Sequence, residues 1–268
     1  MKPSDLDTPA EITWCPGCTN FGILASVKKA IAELVNEGFA PIEKFVMSSG
    51  IGCHAKIYDY LNMNGFYTIH GRVPPTLIGM KLANPELIVI GFAGDGDAYA
   101  EGFEHLVHAA RLNADITMVI HNNQVFALTT GQPTPTTKEG FKSKATPQGN
   151  PYPTFNPIAL MLEAGATFVA REYALDIENL SKTLKEAIKH KGFSFVEVLQ
   201  PCITFNDTRE FLKKHMYRIE PMDFESALRV AREWNYSTEE EVKIPMGIFY
   251  ITEKPTLEER LGIKPWYK

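Results

Sequence analysis

The chain has 268 residues, 44% hydrophobic, 11% aromatic and 22% charged, which is enough for a large buried core in one or two domains. A formal charge of −5 at pH 7 and an isoelectric point near 5.8 argue against nucleic acid or a membrane surface as partner, since both favour a basic face. The longest apolar stretch, Leu87 to Gly94, is far short of a membrane span and the polar start Met1-Lys2-Pro3-Ser4-Asp5 has no secretory core, so a cytoplasmic, reducing setting is expected, in which four cysteines do not read as a disulfide framework.

Phe21 to Val35 has helical apolar spacing and ends at the stop signal Asn36-Glu37-Gly38. Lys44 to Met47 reads as a strand, Ala55 to Leu61 as a helix, and Pro74 to Ala83 as a helix closed by Asn84-Pro85. Leu87 to Ala93 is a continuous apolar run of strand length, the pattern of a strand covered on both faces. Glu101 to Leu112 predicts a helix and Ile116 to Ile120 a second buried strand. Between Gln124 and Phe155 periodicity is lost and five prolines appear (Pro133, Pro135, Pro147, Pro151, Pro153). Such a long loop reads as functional or as a mobile surface insertion, and its position after a strand's carboxyl end, where ligands bind in open sheets, favours the first. Ile158 to Glu163, Thr167 to Ala170, Ile177 to His190 and Phe193 to Leu199 resume the alternation. The expected fold is α/β: a single doubly wound, mostly parallel sheet flanked by helices, with an irregular C-terminal tail. Residues 1–200 are expected to form the main domain and 201–268 an extension packed on it or on a partner.

Gly94-Asp95-Gly96-Asp97 follows the Leu87 strand and Asn122-Asn123 ends the next. The 25 residues between Gly96 and Asn122 are what one crossover helix and one strand consume. Asp95 and Asn123 are thus predicted at the carboxyl ends of adjacent parallel strands. A carboxylate and an amide oxygen are hard ligands suited to Mg²⁺. The glycines would let backbone N–H groups approach a phosphate, with a helix start near Ala98 adding its positive end. A Gly-Asp-Gly triplet alone is compatible with a plain strand-to-helix turn, but its strand context and the distant Asn-Asn pair resemble the thiamine diphosphate motif. The rival dinucleotide fingerprint fails at Tyr99, and Walker A is absent.

Cys15-Pro16-Gly17-Cys18 is a C-x-x-C turn before the first helix, while Cys53 and Cys202 follow strand ends. Spacing alone leaves three readings open: an iron–sulfur site using all four thiolates, a zinc site, or core residues.

The pattern as a whole resembles the β subunit of 2-oxoacid:ferredoxin oxidoreductases. The carrying segments are Trp14 to Cys18, Gly50 to Cys53, Thr68 to Arg72, Gly79 to Pro85, Gly94 to Asp97, Asn122-Asn123, Thr130 to Gln132, Thr134 to Thr137 and Pro201-Cys202, nearly the whole chain. The resemblance implies a 4Fe–4S cluster on Cys15, Cys18, Cys53 and Cys202, and Mg²⁺ held by Asp95, Asn123 and the backbone oxygen of Val125. It implies a thiamine diphosphate site formed by Gly52, Cys53, His54, Lys56, His70, Gly94, Asp95, Gly96, Asp97, Asn123, Val125, Ala127, Leu128 and Thr129, with Lys56 and His70 as catalytic candidates. The implied reaction is coenzyme A-dependent oxidative decarboxylation of a 2-oxoacid such as pyruvate or 2-oxoglutarate. Thiamine serves as electron sink, and electrons leave singly through the cluster to ferredoxin. The aminopyrimidine half-site needs a carboxylate from a second domain. A single α/β domain lacks one, so an α subunit, or a fused α/γ subunit, is the expected partner in at least a heterodimer. The Gln124–Phe155 loop is expected to be ordered by that subunit.

Thr19 and Thr130 depart from the family pattern, as does Phe126-Ala127, where Ala127 costs backbone freedom. Thr19 is expected to matter little; Thr130 bears on substrate identity. His105 and His108 read as polar-face or packing residues, Met47, Met63 and Met80 as core, and the acidic run Thr238 to Glu241 as a solvated turn. Arg72 is expected to pair with a phosphate, a partner carboxylate or a structural acid. Two other functions fit part of the pattern: a non-redox thiamine decarboxylase or synthase component, and a zinc-stabilised interaction subunit.

Overall fold

A computed structural model describes residues 1–236 and 241–265, so the first three residues of the acidic run Thr238 to Glu241 lie outside the described residues. In chain order the elements are α1 (Asn20–Asn36), β1 (Phe45–Ser49), α2 (Ile57–Tyr60), β2 (Asn64–Tyr67), α3 (Val73–Ala83), β3 (Ile88–Gly94), α4 (Phe103–Leu112) and β4 (Thr117–Asn122). A short hairpin of β5 (Val125–Phe126) and β6 (Gln132–Pro133) follows, then α5 (Pro157–Ala164), β7 (Phe168–Tyr173), α6 (Ile177–Lys189) and β8 (Ser194–Leu199). The chain closes with α7 (Arg209–His215), β9 (Met216–Arg218), α8 (Phe224–Ala231), β10 (Ile244–Ile251) and α9 (Leu257–Arg260).

Eight strands form one sheet in the order β2-β1-β3-β4-β8-β7-β10-β9. The first six are mutually parallel; β10 runs antiparallel to β7 and carries β9 parallel beside it. Every residue of β4, β7 and β8 is buried, as continuous apolar runs between two helical layers require. One face is covered by α1 and α6, whose Ile23, Val27, Ile31, Leu180 and Leu184 pack on Phe92, Val119 and Val196. The other is covered by α3, α4, α5 and α8 through Leu77, Leu106, Met161 and Leu228. The doubly wound, mostly parallel sheet is as expected. Met47 is core, and Met63 and Met80 pack at its edge.

Two features differ from the sequence reading. The C-terminal region is not irregular, because β10 completes the sheet and α8 covers it; Pro245 and Gly247 within that strand hide it from a periodicity search. The Gln124–Phe155 loop is tied to its own chain, with Thr134, Thr136, Thr137 and Asn150 all buried. Asn150 Nδ2 donates to the Thr137 carbonyl at 3.0 Å, and the Asn150 backbone exchanges hydrogen bonds with Gly140 and Phe141.

Candidate active site

Strands β1, β3, β4 and β8 are neighbours, and each releases one candidate segment at its carboxyl end: Gly50 to Cys53, Asp95 to Asp97, Asn123, and Gln200 to Cys202. Register places Gly94 opposite His121, so Asp95 and Asn123 do leave adjacent parallel strands into one crevice. Gly52, Cys53, His54, His70, Gly94, Asp95, Gly96, Asp97, Asn123, Val125, Ala127, Leu128 and Thr129 all line it. Lys56 does not; its ammonium donates to the Thr13 carbonyl at 2.9 Å and borders the neighbouring cavity that holds the cysteines.

Asp95 is 2% exposed. Thr134 donates to its Oδ2 at 2.6 Å, and the Thr136 hydroxyl lies 3.2 Å from the same oxygen. Burial pushes its carboxyl up to about 7, against the opposing pull of these threonines and the Asp95 and Gly96 amides. Such a carboxyl is satisfied by a proton or, better, by a cation. Asn123 presents a hard oxygen nearby: its Nδ2 donates to Gln200 Oε1 at 3.0 Å, while its Oδ1 accepts from the Val125 amide at 3.1 Å. Asn122 is instead structural, donating to Glu197 at 2.8 Å and accepting from Thr136 at 2.9 Å.

The motif glycines have a packing role. A Cβ at Gly96 would lie 2.2 Å from the Phe126 ring, and one at Gly94 would lie 2.7 Å from His54 Nδ1. Gly96 is followed by a π-helical turn, Asp97–Glu101, before α4 begins at Phe103, so no regular helix starts at Ala98. Ala127 does not need glycine-like freedom. The left-handed residues of this stretch are Gln124 (φ 62°), Thr130 (φ 78°) and Gly131 (φ 99°). The strain therefore falls on the β-branched Thr130.

Asp97 is buried between two histidines, with His70 Nδ1 at 2.7 Å and His54 Nε2 at 3.3 Å, and it accepts from the Gly71 amide at 2.7 Å. Burial alone would raise its carboxyl, but His54, His70 and that amide hold it well below the usual range. Asp97 in turn raises the half-exposed His70. A raised imidazole contributes stability fully present below the unfolded value of about 6.5 and lost as pH rises past the folded value. His70 is expected to titrate above 6.5 in imidazole NMR and to fall back in Asp97→Asn; a titration at or below 6.5 in the unsubstituted protein contradicts the pairing.

All four cysteines, Cys15, Cys18, Cys53 and Cys202, line one cavity of about 210 Å³. Burial pushes the Cys53 thiol up to about 11, with the other cysteines adding and Lys56 opposing; burial also raises Cys18. Trp14 walls the cavity, its indole donating to the Cys53 carbonyl at 2.6 Å and packing edge-on against Phe21 and Tyr60. Among the described residues no three His, Cys, Asp or Glu side chains are grouped closely enough to hold a single metal ion. Cys53, Asn123, Ala127 and Leu128 line both the cavity and the crevice.

Thr19 is not incidental: it is 1% exposed and donates to the Pro201 carbonyl at 2.8 Å. Arg72 donates to the Glu101 and His70 carbonyls, not to an acid. His105 and His108 stay on α4, against Glu104 and Arg111. Sequence reasoning missed Thr134, Thr136 and Gln200 as parts of the site. The Thr-Pro-Thr-Thr run was a visible signal for the first two, but nothing local marks Gln200.

Residues 50–198 match the family model described as thiamine pyrophosphate enzyme, C-terminal TPP binding domain, and residues 202–264 match the model for the C-terminal part of the pyruvate ferredoxin oxidoreductase beta subunit. The chain is 45% identical to the 2-oxoacid:ferredoxin oxidoreductase 1 subunit beta of Aeropyrum pernix, over 93% of this chain and 81% of that one. It is 40% identical to a 2-oxoglutarate synthase subunit of Archaeoglobus fulgidus, over 92% of this chain and 86% of that one. A solved 2-oxoglutarate:ferredoxin oxidoreductase from Magnetococcus marinus, with 2-oxoglutarate, coenzyme A and succinyl-CoA bound, superposes with a TM-score of 0.90 at 35% identity, covering 98% of this chain and 89% of that chain. A chain matched along nearly its whole length, with its Gly-Asp-Gly and Asn-Asn segments gathered in one crevice at the carboxyl edge of the sheet and four thiols beside it, belongs to the β subunits of the 2-oxoacid:ferredoxin oxidoreductases.

Proposed function

We propose that this chain acts with an α subunit in the coenzyme A-dependent oxidative decarboxylation of a 2-oxoacid of the pyruvate or 2-oxoglutarate class, passing electrons singly through a 4Fe–4S cluster to ferredoxin in the cytoplasm. The observation that carries this reading is the shared wall: Cys53, Asn123, Ala127 and Leu128 face both the diphosphate crevice and the cysteine cavity. A redox centre held by the cysteines would share that wall with a cofactor held in the crevice, and would accept electrons from it. Residues 1–200 would supply the thiamine diphosphate unit and 201–268 the extension that brings Cys202.

The donor sets fit both inorganic groups. Asp95, Asn123 and the Val125 carbonyl would hold Mg²⁺, supported by a buried Asp95 carboxyl that accepts from hydroxyls and amides and by an Asn123 oxygen fixed by the Val125 amide in the same crevice. Four thiols lining one cavity supply the thiolates a cluster needs. Thiamine diphosphate, when bound, supplies carbanion stabilisation. The residues of this chain bind its diphosphate end and exclude water. His70, whose Nδ1 pairs with Asp97 and whose affinity for a proton that carboxylate raises, turns its other ring nitrogen to proton exchange in the crevice, and Lys56 offers positive charge to the cluster side. The carboxylate needed at the aminopyrimidine would be supplied by the α subunit.

Anaerobically purified protein co-expressed with its α subunit should be brown, contain about four irons and four sulfides per β chain, and reduce viologen with one or more acids of a 2-oxoacid panel. The isolated chain should be inactive towards all of them. Cys202→Ala should lose iron and viologen reduction together. Zinc without sulfide would favour a scaffold, and turnover without acceptor reduction a non-redox thiamine enzyme.

A further inference from the structure

Gln200 and Thr19 supply no proposed ligand, yet both are buried, at 2% and 1% exposure, between the cysteine loops and Asn123. Thr19 follows Cys18, and Gln200 stands two residues before Cys202. We infer that Thr19 and Gln200 are positioning residues that decide which end of the Asn123 amide faces the crevice, tying the cysteine loops to the cation site. This rests on the proposed reading of Asn123 as a cation ligand.

The supply of protons fixes each orientation in turn. The Thr19 hydroxyl has one, and it goes to the Pro201 carbonyl at 2.8 Å. Towards Gln200 it can then only accept, which it does from Nε2 at 2.7 Å. Gln200 must therefore turn its Oε1 the other way, where it accepts from Asn123 Nδ2 at 3.0 Å. With its NH₂ so engaged, Asn123 has Oδ1 on the side of the Val125 amide, at 3.1 Å. A flipped Asn123 would set two oxygens against each other at Gln200 and present N–H donors to a cation. The loop carrying Cys202 grips the same residue a second time, since Asn206 Nδ2 donates to the Asn123 carbonyl at 3.1 Å. A hydroxyl beside a cysteine thus sets the polarity of a ligand at the other site.

The test is a Mg²⁺ titration of thiamine diphosphate retention by equilibrium dialysis, in the αβ complex, with iron content measured in parallel. Thr19→Val keeps the shape and removes the hydroxyl, and it should raise the half-saturating Mg²⁺ about tenfold, the usual cost of losing a residue that orients a ligand. Gln200→Met should do the same, and serves if the valine variant does not assemble. Thr19→Ser keeps the hydroxyl and should behave as the unsubstituted protein. A purely packing role predicts the reverse order, with valine harmless and serine damaging, and that order would overturn the inference. Asn123→Ala separates the two levels. If it raises the Mg²⁺ requirement while Thr19→Val and Gln200→Met do not, the relay is wrong. If Asn123→Ala leaves the requirement unchanged, the ligand reading itself fails.

Discussion

Asp95→Ala is expected to lower thiamine diphosphate retention by more than about a hundredfold, beyond what loss of an orienting residue costs. The reason is charge: of the three proposed ligands Asp95 is the anionic one, and a Mg²⁺ held there would lose it. Asp95→Asn separates this from folding. The Asp95 carboxyl lies near 7 in the fold against 3.8 when free, because it is buried. The folded state therefore binds a proton that the unfolded state has released between about pH 4 and 7, and stability falls as pH rises across that window. Cofactor-free Asp95→Asn, which keeps the shape without the charge, should melt above the unsubstituted chain at pH 8, with the gap closing towards pH 4. Retention of cofactor by either variant would remove Asp95 from the site. A gap that does not narrow at low pH would deny the buried charge.

Arg171→Met should cause the largest loss of stability. Arg171 and Glu197 are fully buried, with Nε 2.7 Å from Oε2. Glu197 also accepts from Tyr236 and from Asn122, and the guanidinium stacks 5.1 Å from the Trp234 ring centroid. Methionine would restore volume but leave Glu197 as a buried charge without its cation, a cost of about 3–5 kcal/mol. For a chain of this size that corresponds to a fall on the order of 10 °C in melting midpoint. Because Glu197 holds Asn122, and Asn122 Oδ1 receives the Thr136 hydroxyl, the Asp95 pocket should loosen too. A variant that melts within about 2 °C of the parent, a shift within the range of ordinary surface substitutions, would show that the pair is not a structural anchor.

Local pattern carried much of the fold. The Leu87 run became β3 almost residue for residue, and Gly38, at φ 74°, stops α1 where Asn36-Glu37-Gly38 marked its end. The spacing between Gly96 and Asn122 also sufficed to put Asp95 and Asn123 on neighbouring strands, because one crossover and one strand leave little choice. Lys56 illustrates the limit. It sits next in chain to crevice-lining segments, yet the short helical turn after Cys53 aims it at Thr13 and the cysteine cavity.

By itself the sequence determined most elements as far as β8, the parallel sheet they build, the edge at which chemistry gathers and the residue types available there, since these follow from periodicity, turn residues and ligand hardness over short spans. Tertiary structure alone decided what those residues touch. Thr19 and Gln200 meet across 181 positions of chain and Asp95 and Thr134 across 39, and Pro245 sits in a strand stabilised by pairing with β7 and β9 and by cover from α8. Such contacts are set by how helices and strands close over a common core, and no local window of sequence contains both partners.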